Sequence, residues 1–506
     1  MTQLTLSDLL SQAMKRYGDG LALIDGDRRF SYRELDARAT ALAAFLHGQG
    51  IGRGDRIALH LRNCAEYVIA DLAILKLCAV KVPLNELMSP VELTYCLDHS
   101  EARVLISHAS LPVAAGTSAL LAIRISVSDT SPTRPGSISW KDALCADPTL
   151  TAFDRSEPDD LALIAYTGGT TGHPKGVCHS QHRLAVNILA TIICGDIRAD
   201  EVMLLTTSLP HSAGYHLQGC LVQGGVVVLA ERFTPAQFVL LAEAHAVTWT
   251  FAVPTMLYRL LDHLGAEGVA PSHLRTIVYG AAPMSRERLE QGLERFGPIF
   301  IQLFGQTECP NFVTILSKAD HLNPGLLASC GRPVPMLDVR LRRSDGGIAA
   351  PGEVGEVEVA SPYLLLEYYK NPAATAEALR DGWLRTGDLG YLDAGRYLFL
   401  VDRAKDMIVS GGMNVYSVEV EAALRQHPQI LDAAVIGVPD PDWGEGVVAF
   451  VIVSQPIVEA EVRTFAKTLL GAYKVPKRVL VREALPLTKY GKIDKKALRA
   501  DLAATA

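Results

Sequence analysis

Short apolar runs of strand length alternate with stretches of helical period through most of the chain, and that alternation restricts it to parallel strands joined by helical crossovers. RIALHL (56–61) and RVLIS (103–107) are two such runs, and the apolar stretch Cys64 to Val80 between them has helical length. Upstream, Ser31 and Glu34 are spaced as a capping box ahead of Leu35, Ala39, Leu42 and Leu46, with Gly48 and Gly50 available to end the helix. After a Ser/Thr/Pro-rich loop at 126–137, LALIAYT, VVVLA, VTWTFAV, LRTIVYG and IFIQLFG read as buried strands of a second such region. The expectation is an α/β protein built on doubly wound sheets, with ligand sites at the strand ends.

Near residue 400 the character changes. Upstream, DGWLRTGDLGYLDAGRYLFLVDR is rich in Gly and Asp and reads as antiparallel hairpins. Downstream, a helix over Ser417 to Gln426, a strand pair and a further helix make a compact unit, so a domain boundary is expected within Val401 to Lys405.

The 506 residues carry a net charge of −7, which leaves no global electrostatic footprint for nucleic acid or an anionic membrane. Any phosphate must therefore be held locally. From Lys467 to Arg499 ten Lys and Arg face only Glu483 and Asp494, which reads either as a solvated basic face or as a surface attracting a polyphosphate. The nine cysteines are scattered and form no C-x-x-C pair, as in a cytoplasmic protein with reduced thiols rather than a disulfide framework or zinc cluster. Neither a signal peptide, a membrane span nor a C-terminal targeting signal is expected.

Directly after LALIA comes Tyr166-Thr167-Gly168-Gly169-Thr170-Thr171-Gly172-His173-Pro174-Lys175-Gly176. Glycines allow a turn that aims several N–H groups at one place, the hydroxyls add donors and Lys175 adds charge, which together suit phosphate. Pro174 between the glycines and the lysine, and Gly176 after it, depart from the kinase-type P-loop. On Gly/Thr composition alone a Gly-rich surface turn without function would be the preferred reading.

Further stretches follow in order: Gly280-Ala281-Ala282-Pro283, Phe304-Gly305-Gln306-Thr307-Glu308, Arg385-Thr386-Gly387-Asp388, Asp402-Arg403-Ala404-Lys405-Asp406 continuing to Gly411-Gly412-Met413-Asn414, and Pro486-Leu487-Thr488-Lys489-Tyr490-Gly491-Lys492. With the glycine loop they resemble the motifs of the adenylate-forming superfamily, which includes acyl- and aryl-CoA ligases, peptide-synthetase adenylation domains and luciferases. The resemblance covers the chain from about residue 8 to 498. It implies a large N-terminal domain over 1–401 of doubly wound sheets plus a small β-barrel-like part, a hinge over 402–405 pivoting at Lys405, and a small mobile α+β domain over 406–506.

The resemblance also implies roles. ATP and AMP would be held by Thr167, Gly168, Gly169, Thr170, Thr171, Gly172 and Lys175, by Gly280, Ala281, Ala282 and Pro283, by Phe304, Gly305, Gln306 and Thr307, and by Asp388, Arg403 and Lys492. Thr307 would donate to the α-phosphate, Glu308 would hold Mg²⁺, and Asp388 would accept from the ribose hydroxyls. Two anions must react, so charge has to be neutralised where it develops, and Lys492 would bridge the substrate carboxylate and the α-phosphate. Gly411, Gly412 and Lys474 would serve coenzyme A. Three positions depart from the common pattern: Gly168 for Ser, Asp402 for Gly, and Ser417 for Pro.

The acyl pocket would be lined by His211, Tyr215, Phe251, Gly280 and Cys309, with Phe304 and Pro310 beside them. These residues are uncharged or weakly basic and suit an aromatic, alicyclic or medium-chain acid. No Asp stands near His211 to pair with an α-ammonium, which disfavours amino acids, and no Arg there suits a dicarboxylate. His211 also fits a core histidine bonded to backbone. Three readings follow: an acyl-CoA ligase, a ligase loading a carrier-protein thiol, and a nucleotide sensor that no longer catalyses. The intact Glu308, Asp388 and Lys492 oppose the last. The expected partners are a small carboxylic acid, ATP and coenzyme A, with no nucleic acid and with a homodimer left open.

Overall fold

The computed structural model describes residues 4–112, 120–128, 136–145, 153–167, 174–265, 268–404, 406–410, 413–440, 443–488 and 493–504. The chain packs as two compact units, one of residues 1–339 and 359–384, the other of 340–358 and 385–506.

The first unit holds two large sheets. A nine-stranded sheet runs in the order Arg332–Pro333, Cys309–Leu316, Phe300–Gln306, Thr276–Gly280, Trp249–Ala252, Val202–Leu205, Val226–Leu229, Leu21–Asp25 and Arg28–Ser31. Its middle is parallel, and antiparallel strands close both ends. The seven-stranded sheet runs Ile138–Ser139, Ile123–Val127, Val104–His108, Arg56–His60, Val80–Pro83, Leu161–Thr167 and Lys175–Ser180, parallel except for its last pair. The doubly wound expectation therefore holds. One grouping differs: LALIAYT joins the sheet of RIALHL, whereas Leu21–Asp25 crosses to the sheet of the later strands. Apolar strand sequences buried on both faces carry no local mark of which sheet they enter.

Local signals fix individual helices. In the helix Tyr32–Gly48, Glu34 N–H donates to Ser31 Oγ at 3.2 Å and Ser31 N–H donates to Glu34 Oε2 at 2.7 Å, the reciprocal capping box read from the sequence. The helix Ala65–Lys76 is buried from Ala65 through Leu75 and packs against strands of both sheets, which explains its apolar circumference. Its buried acids are paired, Glu66 with Arg28 at 2.6 Å and Asp71 with Lys81 at 2.8 Å.

In the second unit, residues 388–392 of strand Trp383–Leu392 pair antiparallel with Leu398–Arg403, as the hairpin reading expected. A further five-stranded sheet orders Met413–Val415, Ile408–Ser410, Gly444–Val453 and Ile430–Asp440, with Arg478–Val481 added parallel to Gly444–Val453. Period-two alternation divides its faces: Ala433, Val435, Val447 and Ala449 pack with Val420 and Leu424 of helix Ser417–Arg425 and with Val462 of helix Glu459–Leu469. Ala434, Ile436, Val448 and Phe450 pack with Leu498 and Leu502 of helix Lys495–Ala504.

Candidate functional site

In the first unit the parallel strands of both sheets deliver their C-terminal ends to connected loops. Asn63, just beyond Arg56–His60, donates from Nδ2 to the carbonyls of Thr207 at 2.9 Å and Ala230 at 3.1 Å, and accepts from Leu209 N–H at 3.0 Å. It thus ties the strand ends of one sheet to those of the other. This is where an α/β sheet places a ligand crevice.

Thr167 and Lys175 are cross-strand partners at the end of the antiparallel pair Leu161–Thr167 and Lys175–Ser180. Gly168, Gly169, Thr170, Thr171 and Gly172, expected to cradle phosphate, lie outside the described residues, as do Lys405, Gly411, Gly412 and Lys492. The Lys175 ammonium stands 4.9 Å from the centroid of the Tyr368 ring, a cation–π distance. The Tyr368 hydroxyl donates to Glu308 Oε1 at 2.7 Å, and burial together with Glu308 raises the tyrosine's pKa, so it remains a donor. The segment around Tyr368 is held against strand Lys175–Ser180 by backbone bonds: Leu366 N–H donates to Cys178 O, Tyr369 N–H to Gly176 O, and Cys178 N–H to Glu367 O. Leu365 N–H donates to the carbonyl of Glu308 itself at 2.7 Å.

Behind Thr307 and Glu308 stands His179, fully buried on the strand that begins with Lys175. Its Nε2 lies 2.8 Å from Thr307 O, and since a carbonyl only accepts, Nε2 carries the proton. Burial lowers the His179 pKa to about 4, so the ring is neutral at pH 7. Lys175, His179, Thr307, Glu308 and Tyr368 therefore form one connected group. Tyr368 and His179 carried no signal in the sequence, because their partners lie 60 and 128 positions away.

Two glycines of the expected nucleotide motifs are required by close approach. A Cβ on Gly280 would meet Leu303 O at 2.4 Å, and one on Gly305 would meet Asn311 O at 2.2 Å. After Gly280 the chain turns through Ala281, at φ +66°, then Ala282 and Pro283, which are partly to fully exposed.

Of the expected acyl-pocket residues, Phe251, Gly280 and Cys309 come from neighbouring strands, with Gly280 opposite Leu303 and Cys309 opposite Gln306. Phe304 lies on the intervening strand and Pro310 follows Cys309. His211 follows Val202–Leu205 and meets the side chain of Asn85: Asn85 Nδ2 lies 2.8 Å from His211 Nε2. Leu87 N–H donates to Asn85 Oδ1, which fixes the amide's orientation, so Nδ2 donates and His211 Nε2 accepts. Tyr215, on helix Gly214–Gln223, has its pKa raised by burial and, secondarily, by the field of Asp71. Sequence reasoning missed His216, fully buried with its ring 4.9 Å from Trp249 and 5.0 Å from Phe251, and held neutral by a pKa lowered to about 3 by burial.

The second unit holds the expected ribose group. Asp388 and Arg403 are cross-strand partners, and Arg403 Nε donates to Asp388 Oδ1 at 2.6 Å. Asp388 N–H donates to Thr386 Oγ1, whose hydroxyl in turn donates to Val357 O. Asp388 is buried and Arg403 half exposed, so the pair presents a carboxylate fixed from behind. Part of the basic tail is paired: Lys474 with both Glu419 oxygens at 2.6 and 2.7 Å, and Lys477 with Asp440 at 3.0 Å. All nine cysteines are free thiols, and among the described residues no helix is long and apolar enough to cross a membrane.

Residues 10–369 match the family described as AMP-binding enzyme, and residues 419–492 its C-terminal domain. A feruloyl-CoA synthase of an Amycolatopsis species is 36% identical over 94% of this chain and 95% of its own length. A medium/long-chain-fatty-acid–CoA ligase of Mycobacterium tuberculosis, FadD8, is 40% identical over 68% of this chain, a match spanning 62% of that protein. Among solved structures, the amide bond synthetase McbA of Marinactinospora thermotolerans superposes with a TM-score of 0.86 at 30% identity, covering 98% of this chain and 99% of that one.

Proposed function

The chain belongs to the AMP-binding enzyme family of the adenylate-forming superfamily, and from that membership we propose that it is an AMP-forming acid–thiol ligase acting in the cytoplasm on an aromatic, alicyclic or medium-chain carboxylic acid. In the first half-reaction a substrate carboxylate oxygen attacks the α-phosphorus of ATP and diphosphate leaves. In the second the coenzyme A thiol attacks the acyl carbon, the bond to AMP breaks, and a thioester and AMP result.

The observation that carries the reading is the connected group of Lys175, Tyr368, Glu308, Thr307 and His179. Lys175 supplies positive charge at the mouth of the phosphate loop, and His179 fixes the Thr307 carbonyl so that the Thr307 hydroxyl can address the α-phosphate. Glu308 offers a half-buried carboxylate oxygen, a donor suited to Mg²⁺, and among the described residues no cluster of three His, Cys, Asp or Glu side chains could hold a metal by itself. A magnesium ion would be bound there through the Glu308 carboxylate, phosphate oxygens and water, and would neutralise phosphate charge. Asp388, braced by Arg403, accepts from the ribose hydroxyls. Lys492 supplies the mobile cation of the first half-reaction, and Lys405 is the pivot between residues 1–401 and 406–506. Gly411, Gly412 and Lys474 serve coenzyme A, and for Lys474 this requires release from Glu419.

The pocket assignment rests on apolar walls from Phe251 and Phe304 with the His211 ring beside Asn85. The test is to supply Mg-ATP with benzoates, cinnamates, alicyclic acids and C4 to C16 fatty acids, with and without coenzyme A, and to measure AMP and thioester. Thioester from one class is expected. Diphosphate exchange without thioester would move the acceptor to a carrier-protein thiol or an amine, and silence across the panel would support a nucleotide sensor.

A further inference from the structure

Two of the departures from the common motif pattern, Asp402 and Ser417, meet in the fold. Asp402 is buried at the end of strand Leu398–Arg403, and its carboxylate accepts from Ser417 N–H and, at 3.1 Å, from Ser417 Oγ. Ser417 is the first residue of helix Ser417–Arg425, whose N-cap residue Tyr416 makes no side-chain cap bond, so Asp402 caps that helix from a distance of 15 positions. Proline at 417 would supply neither the N–H nor the hydroxyl, and glycine at 402 would supply no acceptor. The two departures are one structural feature.

Lys495 completes it. Its ammonium donates to Ser417 Oγ at 2.6 Å and pairs with the buried Glu421 at 2.7 Å, while Glu421 also accepts from Val435 N–H at 2.9 Å. One turn further along the same helix, Arg499 pairs with Asp406 at 3.0 Å. Asp402 and Asp406 flank position 405 on either side. The C-terminal helix, beginning at Lys495, therefore holds one aspartate through Ser417 and the other directly.

We propose that Asp402, Ser417 and Lys495 are positioning residues: a latch that fixes the chain on both sides of position 405 against helices Ser417–Arg425 and Lys495–Ala504, and so favours one of the two half-reactions over the other. This rests on the ligase reading and adds to it which side chains set the balance. A latch present in only one working arrangement stabilises that arrangement, and releasing it shifts population toward the other.

The experiment compares Ser417→Pro, Lys495→Met and Lys495→Arg with the unmodified enzyme in both half-reactions: diphosphate release from acid and ATP, and thioester formation from supplied acyl-adenylate. Ser417→Pro and Lys495→Met should shift the ratio of the two rates in the same direction by about fivefold or more, the lower range of coupling between states, and Lys495→Arg should restore it. An equal fall in both half-reactions, or shifts in opposite directions, would overturn the latch. Amide exchange in the ligand-free protein gives an independent reading: Lys495→Met should speed exchange at Ser417, Val435 and residues 406–410. Unchanged exchange there defeats the latch, whereas failure of the unmodified enzyme to form any adenylate defeats the ligase reading and leaves the exchange result standing.

Discussion

The hydroxyl of Tyr368 donates to Glu308 across 60 positions of sequence, and the same ring receives the ammonium of Lys175 on its face. One aromatic side chain thereby sets the spacing between the acid proposed for magnesium and the lysine proposed for phosphate. Hydrogen bonds to charged groups contribute about 1.5 to 3 kcal/mol, so Tyr368→Phe should slow adenylation by about tenfold or more. It should also raise the magnesium concentration needed for half-maximal rate. Diphosphate exchange titrated with Mg²⁺ measures both.

Lys492→Ala should slow adenylate formation by about a hundredfold or more, the scale for losing one group that stabilises transition-state charge. Thioester formation from supplied acyl-adenylate should change little. Equal losses in both steps would remove Lys492 from the adenylation role.

Gly305→Ala places a methyl group 2.2 Å from Asn311 O and 2.8 Å from its carbonyl carbon, both backbone atoms that cannot rotate away. The antiparallel strands that carry Gln306 and Cys309 must then separate. A stability loss of about 2 kcal/mol or more is expected, as for other overpacked positions. It should appear as a lowered Tm accompanied by a raised KM for ATP.

Two buried histidines make stability depend on pH. His179 and His216 have pKa values lowered by burial from 6.5 to about 4 and about 3 respectively. The folded protein therefore binds fewer protons than the unfolded chain below pH 6.5, and stability rises with pH in that window. The contribution is complete above 6.5 and is lost as pH falls toward about 4 for His179 and about 3 for His216, with about 2 kcal/mol of each gone by pH 5. Denaturant titrations from pH 7 to 5 should show the decline, and His216→Phe, which keeps a ring against Trp249 and Phe251, should flatten it.

Asn85 presents its amide N–H to His211 Nε2. Asn85→Ala removes that donor and opens space beside the proposed acyl pocket, so KM for the acid should rise severalfold with KM for ATP little changed. Initial rates at varied acid and varied ATP separate the two.

The sequence by itself determined the features that depend on near neighbours. Period and capping chemistry set the helix Tyr32–Gly48, because Ser31 and Glu34 are three residues apart and satisfy each other whatever surrounds them. Alternating strands and helices set the doubly wound class, and ordered motifs led to the nucleotide chemistry. What tertiary structure alone decided is which distant groups face one another. LALIAYT and VVVLA have the same apolar character, yet the fold sends them to different sheets. Tyr368 and His179 look like ordinary core residues until they are seen against Glu308 and Thr307, and Asp402 and Ser417 look like two unrelated irregularities until Lys495 joins them. Hydrogen bonds and ion pairs form between atoms within about 3 Å, and separation along the chain places no limit on which residues the packing of sheets and helices brings that close.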